Sequence, residues 1–96
     1  MKLTGDPKLT VRVLSPTQTY FEGKAQSVSA NNKVGPFDIL ADHANFFSLL
    51  TEGRVSVNGG RSLFELTINR GLIKVTNNTV TLFVDIEPAY ATENSV

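Results

Sequence analysis

His43 is the only histidine in the chain, and Asp42 and Asp38 precede it by one and five residues. An imidazole beside carboxylates can act as a general base for a hydroxyl nucleophile, or as one ligand of a metal ion. The neighbouring sequence completes neither chemistry. The serines stand outside any Gly-x-Ser-x-Gly elbow, the turn that exposes a nucleophile in many hydrolases. One histidine and two aspartates in a short stretch fall short of the ligand sets, in number and spacing, that zinc sites use. Asp38 and Asp42 fit better as turn residues that cap nearby backbone amides, with His43 packed in the same loop against a backbone group. The glycines at 53, 59, 60 and 71 spell neither Gly-x-Gly-x-x-Gly nor a Walker loop. Both motifs also need a helix N-terminus to hold phosphate, and none is predicted here. These glycines are assigned to turns and bulges. No cofactor and no metal is expected. A hydrolase or metal protein built on His43 is a reading that metal analysis of the purified chain would have to revive.

What must position such residues is a small domain. The chain has 96 residues, 41% of them hydrophobic and 19% charged. That is ordinary for one globular domain, which at this size buries roughly 60–65% of the surface its unfolded form exposes. Nine basic residues balance nine acidic ones, without the basic cluster of a nucleic-acid binder. Cysteine is absent, which removes disulfides, thiolate metal sites and a cysteine nucleophile. No apolar run approaches the ~18 residues of a membrane span. The first residues, Met1 to Lys8, lack an apolar segment, so no signal peptide is expected.

The pattern is β from end to end, with no period of 3.6 long enough for a helix. Leu9, Val11 and Val13 alternate with polar residues as a half-buried strand, and Ser15-Pro16-Thr17 turns the chain. Thr19 to Phe21 is expected as a short strand stopped at Gly23, and Ala25 to Ala30 as the next, with a turn at Asn31-Asn32. Phe37, Ile39 and Leu40 follow Gly35-Pro36. The run Phe46-Phe47-Ser48-Leu49-Leu50 suits a strand buried on both faces. Alternatively, part of it lies exposed beside the Asp38–Asn45 loop as a partner surface. Arg54 to Val57 alternates, Asn58-Gly59-Gly60-Arg61 is a hairpin turn, and Phe64, Leu66 and Ile68 share a face. Gly71 is expected to break the run before Leu72 to Thr76. Asn77-Asn78 turns into a last strand with Val80, Leu82 and Val84 on one face. Hairpins joined by short links predict an all-β, antiparallel sandwich or flattened barrel of about eight to ten short strands. Residues 1–86 form that domain, and residues 87–96 are expected as a polar, frayed tail. From the residues alone, the chain is a binding or structural module.

Particular motifs sharpen this. Phe21-Glu22-Gly23, then Gly35-Pro36-Phe37-Asp38-Ile39-Leu40-Ala41-Asp42-His43-Ala44, resembles the epsilon subunit of F-type ATP synthases. That family has a Phe-x-Gly turn and, at the same spacing, a Gly-x-Phe/Leu-Gly-Ile-Leu-Pro-Gly-His-Ala signature. Gly53-Arg54-Val55, Gly71-Leu72-Ile73-Lys74-Val75 and Asn78-Thr79-Val80-Thr81-Leu82 resemble its later strands, so that the likeness runs from Leu9 to about Ile86. The sequence departs at Asp38 and Asp42, where the family has glycine, at Ala41 and Asn45, where it has proline, and at Arg70, where it has one glycine of a pair.

The resemblance implies a β-sandwich of about ten strands and a place in the central stalk of the rotor. There the domain would hold the gamma subunit against the c-subunit ring and couple ion flow to rotation, without catalytic chemistry of its own. It implies that Gly35, Pro36 and Phe37 face the c ring, and that His43, Phe46 and Ser48 face gamma. Neither nucleic acid nor insertion into the bilayer is implied, and the place would be peripheral, on the cytoplasmic face of a bacterial inner membrane or its organellar equivalent. Family members usually continue into a pair of helices that regulates ATP hydrolysis, and that pair is not expected within Met1 to Val96. The alternative is a stand-alone β-sandwich interaction module.

Overall fold

Alternating valine, leucine and isoleucine have one way to leave water in a strand: onto one face of a sheet that meets a second sheet. The computed structural model describes residues 7–86 and forms nine strands there. These are β1 (Leu9–Leu14), β2 (Thr19–Ala25), β3 (Ser27–Asn32), β4 (Gly35–Leu40), β5 (Phe46–Leu50), β6 (Gly53–Asn58), β7 (Leu63–Ile68), β8 (Arg70–Thr76) and β9 (Thr79–Asp85). They make a five-stranded sheet in the order β2-β1-β9-β8-β5 and a four-stranded sheet in the order β4-β3-β6-β7. The tail expected over residues 87–96 lies outside the described residues.

The facing sides carry the core. Val11, Val13, Leu82, Val80 and Ile73 from the larger sheet meet Val28, Ile39, Val55 and Val57 from the smaller, all at 1% exposure or less. Each such side chain contributes about 1.5–3 kcal/mol relative to remaining in water. Among the described residues no polar or charged side chain is buried. Aromatic pairs close both flanks: Phe21 of β2 against Phe64 of β7 at 5.2 Å, and Phe37 of β4 against Phe46 of β5 at 5.4 Å between ring centroids.

The sandwich expected from the sequence is present, with several local corrections. Six of the seven strand pairings are antiparallel as expected, but β1 and β9 run parallel, Leu14 standing beside Phe83. No local turn links the first strand to the last, so their direction is set by the whole intervening chain rather than by a hairpin. Gly23 does not stop β2, which runs on to Ala25. The chain changes sheets at single residues instead, Gln26 after β2 and Asn69 after β7. The turn expected at Asn31-Asn32 lies two residues later, at Lys33-Val34. There the Asn32 carboxamide oxygen accepts from the amides of Val34, at 2.9 Å, and Gly35, at 3.3 Å, as the first residue of a turn does. Gly71 does not break a strand either. It sits inside β8 opposite Val84, and a β-carbon there would collide with the Phe83 carbonyl oxygen. The β8–β9 turn uses Asn77 and Asn78, both with positive φ (48° and 62°), the conformation that suits a tight hairpin and that asparagine tolerates.

Candidate functional site

The β4–β5 crossing carries His43 and is tied down at one point. Asp42 adopts the left-handed conformation (φ 64°), so an aspartate supplies the backbone bend at a position where the related signature has glycine. Its amide donates to the Asn78 side-chain oxygen at 2.6 Å, and Asn78 Nδ2 donates back to the Asp42 carboxylate at 3.3 Å. The His43 amide donates to the Leu40 carbonyl at 3.2 Å, and Nδ1 lies 2.7 Å from the Ala44 carbonyl, a bond made when Nδ1 carries the proton. The other side of the ring meets Phe46 edge-on at 5.5 Å.

The polar cleft beside it, about 450 Å³, is lined by Asp42, His43, Ala44, Asn45, Asn77 and Asn78. No serine lines it. Asp38 is elsewhere, on the outer face of the smaller sheet, where it accepts the Ser29 hydroxyl. The arrangement therefore positions a loop and assembles no nucleophile with a base.

Of the residues expected to meet partners, Gly35 and Pro36 open β4 behind the exposed hairpin tip at Val34. Phe37 turns inward and stacks on Phe46, so it joins His43 and Phe46 in one aromatic cluster. Ser48 is half-buried; it accepts from Asn32 Nδ2 at 3.1 Å and donates to the Leu49 carbonyl at 3.0 Å. The expectation that Phe46–Leu50 is buried on both faces is corrected: Phe47 is 62% and Leu49 68% exposed, while Leu50 is buried. The cause is position. β5 is an edge strand, and among the described residues no layer lies over its outward face.

Leu49 belongs to a larger feature. In the larger sheet Leu14 pairs with Phe83, Phe83 with Leu72, and Leu72 with Leu49, so one apolar row crosses four strands on the outside. Phe83 is 48% exposed. With Pro16 and Arg70 the row lines an open groove of about 860 Å³. Sequence reasoning missed Leu14, Leu72 and Phe83 here. Each is the odd apolar residue on the polar side of an alternating strand, and only the register shows that they align.

Comparison with known proteins decides what kind of domain carries this groove. The family described as the ATP synthase delta/epsilon chain β-sandwich domain matches residues 8–87. The chain belongs to this family. The ATP synthase epsilon chain of Leptospira borgpetersenii serovar Hardjo-bovis is 32% identical over 78 residues, which is 81% of this chain and 61% of that one. That of Francisella tularensis subsp. holarctica is 35% identical over 77 residues, or 80% of this chain and 53% of that one. The chain thus spans 53–61% of the length of these delta/epsilon-family relatives. A solved structure of the Tetrahymena thermophila mitochondrial ATP synthase central stalk and c-ring contains a chain that superposes with TM-score 0.72 at 14% identity, covering 96% of this chain and 75% of that one. A chain of the Euglena gracilis mitochondrial ATP synthase, OSCP/F1/c-ring structure, superposes with TM-score 0.75 at 17% identity, covering 91% of this chain and 58% of that one. At such identities these two show the fold of the delta/epsilon sandwich. Within the described residues no helix is long and apolar enough to cross a membrane.

Proposed function

We propose that this delta/epsilon-family domain is a rotor subunit of the central stalk of an F-type ATP synthase, joining gamma to the c ring without catalytic chemistry of its own. The observation that carries the reading is the apolar row Leu14–Phe83–Leu72–Leu49, set on a rigid sandwich and rimmed by polar side chains. An exposed apolar patch of this kind marks a protein interface, and packed interiors transmit strain rather than absorb it, as a torque-bearing adaptor needs. The reading assigns Gly35 and Pro36, behind the exposed Val34 tip, to the c-ring side, with Phe37 beneath them supporting the strand through its contact with Phe46. It assigns the gamma side to His43, Phe46 and Ser48 together with Phe47 and Leu49, their exposed neighbours on the same strand. The subunit would then sit peripherally on the membrane face that bears the synthase, coupling ion flow to ATP synthesis through rotation.

The test is a pull-down with the purified gamma subunit and c ring of the same organism. Recovery of gamma is expected; recovery of neither overturns the reading and leaves the stand-alone interaction module. His43→Ala and Phe46→Ala are each expected to weaken gamma binding by about 1 kcal/mol. Unchanged affinity in both would move the gamma contact away from the His43 loop.

A further inference from the structure

Among the described residues the two sheets leave four edge strands, β2 and β5 in the larger sheet and β4 and β7 in the smaller. An open edge presents unpaired amides and carbonyls that pair readily with another chain, and natural sheets blunt it with charge, proline or a bulge. β2 carries exposed Glu22 and Lys24, and its pairing with β1 shifts register between Val13 and Leu14. β4 carries Pro36 and Asp38, both exposed, and β7 carries the charged Glu65. β5 has none of these. It reads Phe-Phe-Ser-Leu-Leu, and its ladder to β8 runs without a register shift from Phe46 to Leu50.

This unprotected edge is also where the apolar row ends. A partner that covers Phe47 and Leu49 therefore dehydrates the outer amides and carbonyls of the same strand. Left unpaired there, each would lose its hydrogen bond to water with nothing in exchange. A partner strand, which supplies backbone groups at the same spacing, meets that need along the whole edge. Lys74 adds a charge requirement. It stands opposite Phe47 in the ladder, exposed, with no ion pair among the described residues, and β5 offers no anion.

We propose that the open edge of β5 receives an extended strand from the gamma subunit, so that the larger sheet continues into the partner; this rests on the stalk reading above. The added strand carries apolar side chains beside Phe47 and Leu49, continuing the row, and a carboxylate within reach of Lys74. A second copy of this chain pairing β5 to β5 would extend the sheet as well, but it would bring no anion to either Lys74.

Hydrogen exchange of the chain, alone and bound to purified gamma, tests this. Expected is fast exchange of the outer amides of residues 46–50 in the free chain, slowed at least tenfold in the complex, with β7 unchanged. Binding of gamma without slowing at residues 46–50 overturns strand addition and leaves the stalk reading standing. Failure of gamma to bind overturns both. A free chain that sediments as a dimer with residues 46–50 already protected assigns the edge to a second copy and overturns the proposal. Lys74→Glu is expected to weaken gamma binding about tenfold, most strongly at low salt; unchanged affinity overturns the carboxylate.

Discussion

Two rows of side chains cross the outside of this sandwich, one on each sheet, in equivalent positions of the pleat. On the larger sheet the row is Leu14, Phe83, Leu72 and Leu49. On the smaller it is Asp38, Ser29, Ser56 and Glu65, with Ser29 donating to Asp38 and Ser56 to Glu65. The inner faces are alike, both aliphatic and both buried. Folding is thus satisfied by the inner faces, and the outer rows are free to differ. The polar row does what an outer face does in water. The apolar row leaves Leu49 and Phe83 68% and 48% exposed, which contributes little to stability and is what the proposed partner contact would account for.

The sharpest way to break the comparison is at the backbone beneath the apolar row. The Leu72–Phe83 pair is next to the Gly71–Val84 pair, where β8 and β9 approach too closely for a side chain. Gly71→Val is expected to force the strands apart and cost about 3 kcal/mol, read as a lowered urea midpoint. Gly23→Ala is the control. Its new β-carbon would meet only the Phe21 ring at 3.5 Å, an ordinary contact, and the cost should stay below about 1 kcal/mol.

The rows themselves come next. Leu49→Ser with Phe83→Ser should lower gamma affinity about 30-fold, roughly 2 kcal/mol, while stability moves by less than about 1 kcal/mol. Ser56→Ala with Glu65→Ala on the opposite sheet should leave affinity unchanged. Titration calorimetry on both double variants reads the difference. Equal losses from the two faces would mean that the apolar row is not the grip.

The rows also mark where sequence reasoning reached its limit. Strands such as Arg54–Val57 and Val80–Val84 were legible because a period of two depends only on local sequence. Register does not. Leu14, Leu72 and Phe83 lie far apart in the chain, and nothing in any one strand reports that they align. The parallel β1–β9 pair was hidden for the same reason. Phe46–Leu50 misled in a different way, since an unbroken apolar run reads the same whether its second face meets the core or, as in Phe47 and Leu49, solvent. At His43 the loop and its backbone hydrogen bond were legible, whereas its clasp to Asn78 required the fold to bring β8–β9 alongside.

That clasp gives a smaller, separable effect. Asn78→Gly keeps the positive φ that the turn needs but removes both hydrogen bonds to Asp42. A loss of about 1 kcal/mol is expected, because the bonds are partly exposed. If the His43 loop is part of the grip, gamma affinity should fall as well, since the loop would no longer be held beside the β8–β9 turn where it leads into β5. Unchanged affinity with reduced stability would confine the clasp to a structural role.

The smallest effect belongs to the polar row. Arg54 and Glu65 approach to 3.8 Å with both side chains well exposed, 66% and 42%. Such pairs are screened by water and salt, and holding two long side chains in one geometry offsets much of the attraction. Arg54→Ala should therefore lower the unfolding free energy obtained from urea titration by no more than about 0.5 kcal/mol, and less at high salt. A larger cost would show that the smaller sheet's outer face does more than meet water. The contrast between the rows would then be one between two kinds of contact surface, and the polar face would need a partner of its own.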